Sequence, residues 1–124
     1  GLRATKQRLK IANILFEKNK TFHFSISQLA NLINKRYGDT VALATVYNTV
    51  HAFKNHGFLK EIAINSEHSY FDTNTTNHHH FYDVDKDELS DIENNDVSPI
   101  KIKKTIPGKK IKSIEVLVKI SSEN

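Results

Sequence analysis

The residues of this sequence best suited to chemistry are three consecutive histidines, His78, His79 and His80, with acidic residues nearby. A strand is expected over this run, so His78 and His80 would face one side of it and His79 the other. Two imidazoles on one face of a strand can bind a single metal ion, and Asp72 and Asp91 could add oxygen ligands. Such a donor set favours Fe(II), Mn(II) or Zn(II). The sequence therefore predicts a divalent metal site at this cluster.

The same cluster allows two other interpretations. One is a solvated group of histidines without a ligand. The other is an enzyme, because two histidines and a carboxylate also describe the facial triad of non-haem iron oxygenases. The remaining chain is too short for a typical oxygenase barrel. It also has no Gly-rich phosphate loop, Ser-His-Asp arrangement or His-Glu-x-x-His helix. We therefore expect a protein that binds metal and is not an enzyme.

Composition narrows the class of protein further. None of the 124 residues is a cysteine, which excludes disulfides, cysteine zinc sites, iron–sulfur clusters and thiol nucleophiles. The content of 38% hydrophobic and 26% charged residues is typical of a globular protein. No apolar run is long enough to cross a membrane. We expect a cytoplasmic protein without a membrane partner.

The net charge of +4 conceals an asymmetry between the two halves of the chain. Residues 1–60 contain ten Lys and Arg but only two acids, whereas residues 61–124 contain eight Lys and twelve acids. A basic half joined to an acidic half indicates a polyanion-binding end and a second end with another task. The alternative is an ordinary solvated, lysine-rich surface.

Three helices are expected in the basic half. The first covers about 5–19, with an apolar face of Leu9, Ala12, Leu15 and Phe16. Ser25 and Gln28 form a capping box that opens the second helix, and Gly38 ends it. The apolar stripe of this second helix is Leu29, Leu32, Ile33 and Tyr37. The third helix runs from about Leu43 to His56, and its apolar face is Leu43, Val46, Val50 and Phe53.

A β-hairpin is expected after the third helix, over residues 58–71. Three helices followed by a hairpin on a basic surface are the order of a winged helix, in which the third helix enters the major groove of DNA. The side of this helix away from its apolar face offers hydrogen-bonding groups suited to base edges and phosphates. These groups belong to Thr45, Tyr47, Asn48 and Thr49.

The second half predicts a smaller unit of different composition. A polar connector at 73–77 separates a winged-helix domain at 1–72 from a domain at 78–124 that would sense metal and dimerise. Seven acids fall within residues 83–96, and a final strand alternates apolar residues that would form one buried face. A unit this small has only marginal stability by itself, so we expect it to pair with a second copy. The alternating residues are Ile114, Val116, Val118 and Ile120. The fold class is thus α+β, an N-terminal winged helix-turn-helix with a small C-terminal α/β dimerisation domain.

Two segments, 2–8 and 42–50, resemble the ferric uptake regulator (Fur) superfamily, and the Leu-Ala-Thr-Val-Tyr run at 43–47 is characteristic of its recognition helix. The segments 69–74 and 78–82 look more specifically like Irr, the iron response regulator subgroup. The likeness spans about residues 2–120. It implies a dimeric, iron- or haem-responsive regulator, with repressor activity among the family's roles, that binds a pseudo-palindromic operator in double-stranded DNA.

The resemblance also implies particular site residues. The regulatory metal site of the family falls on His23, Asp72, His78, His80 and Asp91, and His23 has no other support. Haem is the second candidate ligand, bound by the segment His78, His79 and His80, and a regulator responsive only to a divalent metal is the alternative. The structural cysteine zinc site of many relatives is impossible here, as in the Irr subgroup. The resemblance also implies DNA contacts by Arg3, Arg8, Tyr47 and Asn48. Asn48 replaces an arginine of many relatives, and this change favours adenine over guanine in the target, because asparagine pairs best with adenine.

Overall fold

A computed structural model describes residues 5–17, 21–38 and 41–123 of the chain. The chain divides into two compact units, Gly1–Thr75 and Thr76–Asn124. The first unit contains three helices, α1 (Lys6–Phe16), α2 (Ile26–Tyr37) and α3 (Leu43–Asn55), with strands β1 (His23–Phe24), β2 (Lys60–Ala63) and β3 (Ser69–Asp72). The second contains β4 (His79–Asp83), β5 (Glu88–Ile92) and β6 (Leu117–Ile120), with a short 3-10 turn at Asn94–Asp96.

Helix α1 is shorter than predicted, and the face that it buries differs from the predicted one. Thr5 caps its first turn by accepting a hydrogen bond from the Arg8 backbone N–H at 3.2 Å. The expected apolar face was wrong at Leu9, which is 55% exposed. The buried side chains are Ile11, Ile14 and Leu15, because these fall at i, i+3 and i+4 and share one face.

Helix α2 begins and ends where the sequence predicts. The capping box is confirmed: the Ser25 hydroxyl accepts from the Gln28 backbone N–H at 3.2 Å, and the Gln28 side chain accepts from the Ser25 N–H at 3.0 Å. Gly38 follows the helix with φ of +67°, a left-handed conformation that ends it at little cost. This helix buries Leu29 and Ile33, whereas Leu32 is exposed.

Helix α3 packs one face on the core of the first unit. Val46, Val50 and Phe53 are buried as predicted, but Leu43 is exposed because it lies in the first turn, at the edge of the contact. Together with α1, α2 and the strands, this helix encloses a cluster of buried side chains. Its members are Ile11, Ile14, Leu15, Phe24, Leu29, Ile33, Val41, Val46, Val50, Phe53, Leu59 and Phe71.

The predicted hairpin is confirmed and belongs to a larger sheet. Strands β2 and β3 pair antiparallel, and β1 pairs antiparallel with the other edge of β3, giving the order β1-β3-β2. Strand β1 was not predicted, since two residues are too few for a recognisable alternation. Three helices and this hairpin form the winged helix of the first unit.

The sheet of the second unit has the order β5-β4-β6. Strand β5 pairs antiparallel with β4, whereas β6 pairs with β4 in parallel. A parallel pair requires a long connection, which here leads from β5 to β6 through residues 93–116. The expectation of one buried face on the last strand was wrong for this single chain, because Val118 is 36% and Ile120 40% exposed. Residues 76–123 do not contain another layer to cover them.

Candidate metal site and nucleic-acid interface

The second unit brings His78, His80 and Asp91 together. His80 lies in β4 directly opposite Asp91 in β5, and His78 lies just before β4. The Nε2 atoms of both histidines are 3.3 Å from the same oxygen, Oδ1 of Asp91. His80 is buried, whereas the Asp91 carboxylate is half exposed. Two nitrogens therefore converge on one carboxylate oxygen at an accessible position.

This geometry fits a bound metal ion. Ligand atoms about 2.1 Å from an ion in tetrahedral arrangement are about 3.4 Å apart from one another. One ligand atom from each of His78, His80 and Asp91 lies within 4.8 Å of the others. A small movement of these side chains would therefore suffice to coordinate a divalent ion.

The backbone fixes His78 in the tautomer that a metal ligand needs. Its Nδ1 lies 2.8 Å from the Thr76 carbonyl oxygen, which can only accept a hydrogen bond. Nδ1 therefore carries the proton and Nε2 presents its lone pair toward Asp91. Metal-bound histidines commonly donate their second N–H to a carbonyl or carboxylate in this way. Residue patterns do not predict this contact, because its acceptor is a backbone group.

His79 has the opposite tautomer. Its Nδ1 accepts a hydrogen bond from the Val116 backbone N–H at 2.8 Å, so the proton of the neutral ring lies on Nε2. A nitrogen that ligates iron must be unprotonated. His79 therefore does not fit the role of haem ligand that the sequence suggested for it, and its ring instead joins β4 to the start of β6.

The other two residues of the expected ligand set lie in the first unit. His23 in β1 and Asp72 at the end of β3 are directly opposite each other in the antiparallel register. Asp72 is buried, and its Oδ1 accepts from the Asn74 backbone N–H at 2.8 Å. Sequence reasoning alone had no basis for His23, because the strand that positions it is only two residues long.

The predicted nucleic-acid surface is exposed on α3 in most positions. Tyr47 is 52% exposed, Asn48 is exposed and Thr45 is partly buried. The placement of Thr49 on this surface was wrong: it is 1% exposed, because it falls three residues after Val46 and faces the core with it. A side chain buried to this degree is not available to DNA.

Two of the expected DNA contacts, Arg3 and Arg8, lie near the N-terminus. Arg8 is partly buried in the first turn of α1. Arg3 lies outside the described residues. Among the described helices, none is long and apolar enough to span a membrane.

Comparison with known proteins places these features in one family. The ferric uptake regulator family model matches residues 1–120. The peroxide-responsive repressor PerR of Staphylococcus epidermidis is 31% identical over 80 residues, which is 64% of this chain and 51% of that protein. PerR of Staphylococcus aureus strain Mu50 is also 31% identical over 80 residues, covering 64% of this chain and 52% of the relative. The chain thus spans about half the length of the curated relatives it matches.

Solved structures share the fold at lower sequence identity. The iron-containing ferric uptake regulator of Francisella tularensis aligns over 99% of this chain and 93% of its own, with a TM-score of 0.73 and 17% identity. The Vibrio cholerae ferric uptake regulator aligns over 98% and 93%, with a TM-score of 0.73 and 20% identity. These likenesses establish the fold, and the family match establishes the kinship. The chain belongs to the ferric uptake regulator family.

Proposed function

We propose that this chain is a dimeric, DNA-binding transcriptional regulator that responds to a divalent metal ion bound at His78, His80 and Asp91. Members of the family are metal-responsive transcription regulators rather than enzymes. The single observation that supports this proposal most is the convergence of two Nε2 atoms on one Asp91 oxygen at 3.3 Å each. The iron enzyme considered from sequence is set aside by the family.

We propose Fe(II), Mn(II) or Zn(II) as the ion. A set of imidazole and carboxylate ligands without sulfur suits all three. Solved relatives include ferric uptake regulators with iron and with manganese, and a zinc-bound manganese uptake regulator. The resemblance adds His23 and Asp72 to the ligand set, and we retain both as proposed ligands. An ion held by residues of both units would tie the winged helix to the sensor, and so couple metal to DNA affinity.

We propose that α3 contacts DNA through Thr45, Tyr47 and Asn48. Arg3 would reach the minor groove, and Arg8, like Tyr47, would contact the phosphate backbone. These α3 side chains combine an exposed aromatic hydroxyl, an amide and a small hydroxyl. Two winged helices in a dimer would read a pseudo-palindromic operator. Such a regulator would act in the cytoplasm, as a repressor or an activator.

The dimer is supported by apolar side chains that a single chain leaves exposed. Val118 and Ile120 of β6 belong to them, and β6 is an edge strand of its sheet. Edge strands with exposed apolar side chains are suited to pairing with another chain. We propose that the second unit provides the contact between the two copies.

Haem is the weaker candidate effector. Among the three histidines offered for it, His79 has its unprotonated nitrogen engaged by a backbone N–H, and the other two point at Asp91. The resemblance of segments 69–74 and 78–82 to iron response regulators still justifies a direct test with haem. We take the divalent ion alone as the effector that the geometry supports best.

One experiment tests the proposal as a whole. The full chain is incubated with a randomised pool of DNA duplexes, without metal, with Mn(II) or Fe(II), and with haem, and bound sequences are recovered. We expect an inverted-repeat sequence that is bound at nanomolar affinity and whose affinity depends on the divalent ion. Enrichment of no sequence under any condition would contradict the proposal, and a response to haem alone would replace the effector.

A further inference from the structure

His51 of α3 lies between two aromatic side chains of the first unit. The centroid of its imidazole is 4.2 Å from that of the Tyr47 ring, with the two planes tilted by 43°. The ring of Phe71 in β3 meets the imidazole edge-on, at 5.4 Å and 81°. Tyr47 and His51 are four residues apart and share a helix face. His51 therefore connects the exposed Tyr47 to a buried aromatic residue of the wing, which is the hairpin formed by β2 and β3.

The contact limits the freedom of Tyr47. Half of the Tyr47 surface is exposed, and the His51 ring contacts the Tyr47 ring on the helix surface. Ordering a mobile side chain when a ligand binds has an entropic cost that weakens binding. A ring that already rests on His51 avoids part of that cost. The Phe71 ring is itself buried and stacked on Phe24 at 6.1 Å, which gives the imidazole a rigid support.

The charged groups near His51 come from its own helix and from the wing. Glu61 of β2 accepts hydrogen bonds from Lys54 Nζ at 2.8 Å and from the Ser69 hydroxyl at 2.7 Å. These two bonds, the one from Lys54 first, lower the pKa of Glu61, and a charge on His51 acts in the same direction with the smallest effect. Tyr47, His51 and Glu61 line a groove of about 570 Å³ between α3 and the wing. The remaining titratable residues of that groove are Glu67 and His68.

We propose that His51 is a positioning residue for the DNA contact of Tyr47, and that its protonated form strengthens DNA binding. The proposal rests on the proposed function, because it takes α3 as the helix that contacts DNA. A phosphate near Tyr47 interacts more favourably with an imidazolium than with a neutral imidazole. Histidine changes charge in the physiological pH range. Proton binding and DNA binding are therefore linked, and DNA affinity rises as the pH falls.

The test measures the DNA dissociation constant of the full, Mn(II)-loaded chain at pH values from about 8 to about 6. The probe is the duplex that the wild-type chain selects from a randomised pool. The variants are His51→Ala, which removes the ring, and His51→Phe, which keeps a ring against Tyr47 but cannot carry charge. His56→Ala is the matched control, since His56 is an exposed histidine that ends the same helix. His68→Ala tests the other histidine of the groove.

We expect wild-type affinity to rise about threefold to tenfold between pH 8 and pH 6, which corresponds to an average uptake of about a quarter to a half of a proton on DNA binding. His51→Phe should keep the affinity at pH 8 within about twofold and lose this rise, whereas His51→Ala should be about threefold to fivefold weaker at pH 8. His56→Ala and His68→Ala should behave like the wild type. Loss of metal at low pH would change DNA binding by His51→Phe and by the wild type equally, so the difference between the two profiles reports on His51.

Three outcomes would overturn the proposal. A pH dependence that persists in His51→Phe would assign the proton to another group, and one that disappears in His68→Ala would assign it to His68. Full affinity of a folded His51→Ala at pH 8 would remove the positioning role. If the wild-type chain selects no duplex at all, the proposed function fails and this inference fails with it. A DNA-binding chain with an unchanged pH profile in the variants overturns only the role of His51.

Discussion

His23 and Asp72 lie directly opposite each other in the antiparallel pair formed by β1 and β3. The next pair along the ladder is Phe24 and Phe71, both buried, with their rings 6.1 Å apart. Because successive residues of a strand face opposite sides, the two phenylalanines anchor one side of the sheet in the core and His23 and Asp72 share the other. A pair of aromatic core residues thus fixes the register of two potential metal ligands.

Replacement of Tyr47 should weaken DNA binding selectively. We expect Tyr47→Ala to lower the affinity for the selected duplex about tenfold or more, because an exposed side chain of α3 is removed. Lys110→Ala is the control, since Lys110 is an exposed lysine of the second unit and should leave affinity nearly unchanged. Fluorescence anisotropy at several salt concentrations would measure both. Equal losses would contradict the assignment of α3 as the DNA-contacting helix.

The second unit should mediate dimerisation through β6. We expect the chain to sediment as a dimer at micromolar concentration, and Val118→Glu with Ile120→Glu to shift it to monomer, because two charges would enter an apolar contact. Leu9→Glu changes an exposed apolar residue of the first unit and serves as the matched control. A wild-type chain that remains monomeric in analytical ultracentrifugation would overturn the proposed assembly.

Metal binding should depend on His80 and not on His79. His80→Ala removes one of the two nitrogens at Asp91, so we expect specific Mn(II) or Zn(II) binding to be lost in isothermal titration calorimetry. His79→Ala leaves the convergent nitrogens in place and should retain affinity within about tenfold, the lower end of the effect of groups that only support ligands. Metal affinity should also fall on acidification, because protons compete for the imidazoles. Retention of metal by His80→Ala would place the site elsewhere.

The ion pair of Glu61 should make a small contribution to stability that depends on pH. Its pKa is lowered from the ordinary value of 4.5, first by the hydrogen bond from Lys54 and then by Ser69. A lowered pKa means that the stabilisation is present above pH 4.5 and is lost as the pH falls through the folded-state value. Because the pair is near the surface, we expect Glu61→Gln to cost about 0.5 kcal/mol at pH 7 and less at pH 3. Urea unfolding at the two pH values would show the difference, and an equal cost at both would rule out an electrostatic origin.

The sequence predicts the helices and the hairpin of the first unit because their signals are local. Ser25, Gln28 and Gly38 mark the ends of α2 by side-chain and backbone preferences that need no tertiary information. The predicted face of α1 was wrong because the helix has two apolar stripes, one that contains Leu9 and one that contains Ile11. Packing against α2 and α3 buries the stripe with Ile11. Thr49 was misplaced for the same reason, since a small hydroxyl residue is tolerated on either face.

The metal cluster could be predicted in its composition but not in its orientation. His78, His80 and Asp91 are recognisable because two histidines alternate on a strand and an acid follows. The choice of tautomer, which separates His78 from His79, depends on the Thr76 carbonyl and the Val116 N–H. Backbone groups carry no sequence signal, and the parallel pairing that brings Val116 to β4 joins residues far apart in the chain.

The proposed ligand His23 offers the sharpest test of how metal and DNA are coupled. His23 belongs to β1 of the winged-helix unit, whereas His78, His80 and Asp91 belong to the second unit. If His23 ligates the same ion, its loss leaves enough ligands to retain metal but removes a link to the DNA-binding unit. We therefore expect His23→Ala to bind metal only modestly less tightly, yet to show DNA affinity that no longer responds to metal. In the intact chain, the coupling free energy should be about 1–3 kcal/mol, obtained from the ratio of DNA affinities with and without Mn(II).

The control is His56→Ala, which replaces an exposed histidine of the same unit and should keep the full coupling. Full coupling in His23→Ala as well would show that His23 is not a ligand, and the metal site would then be confined to the remaining residues.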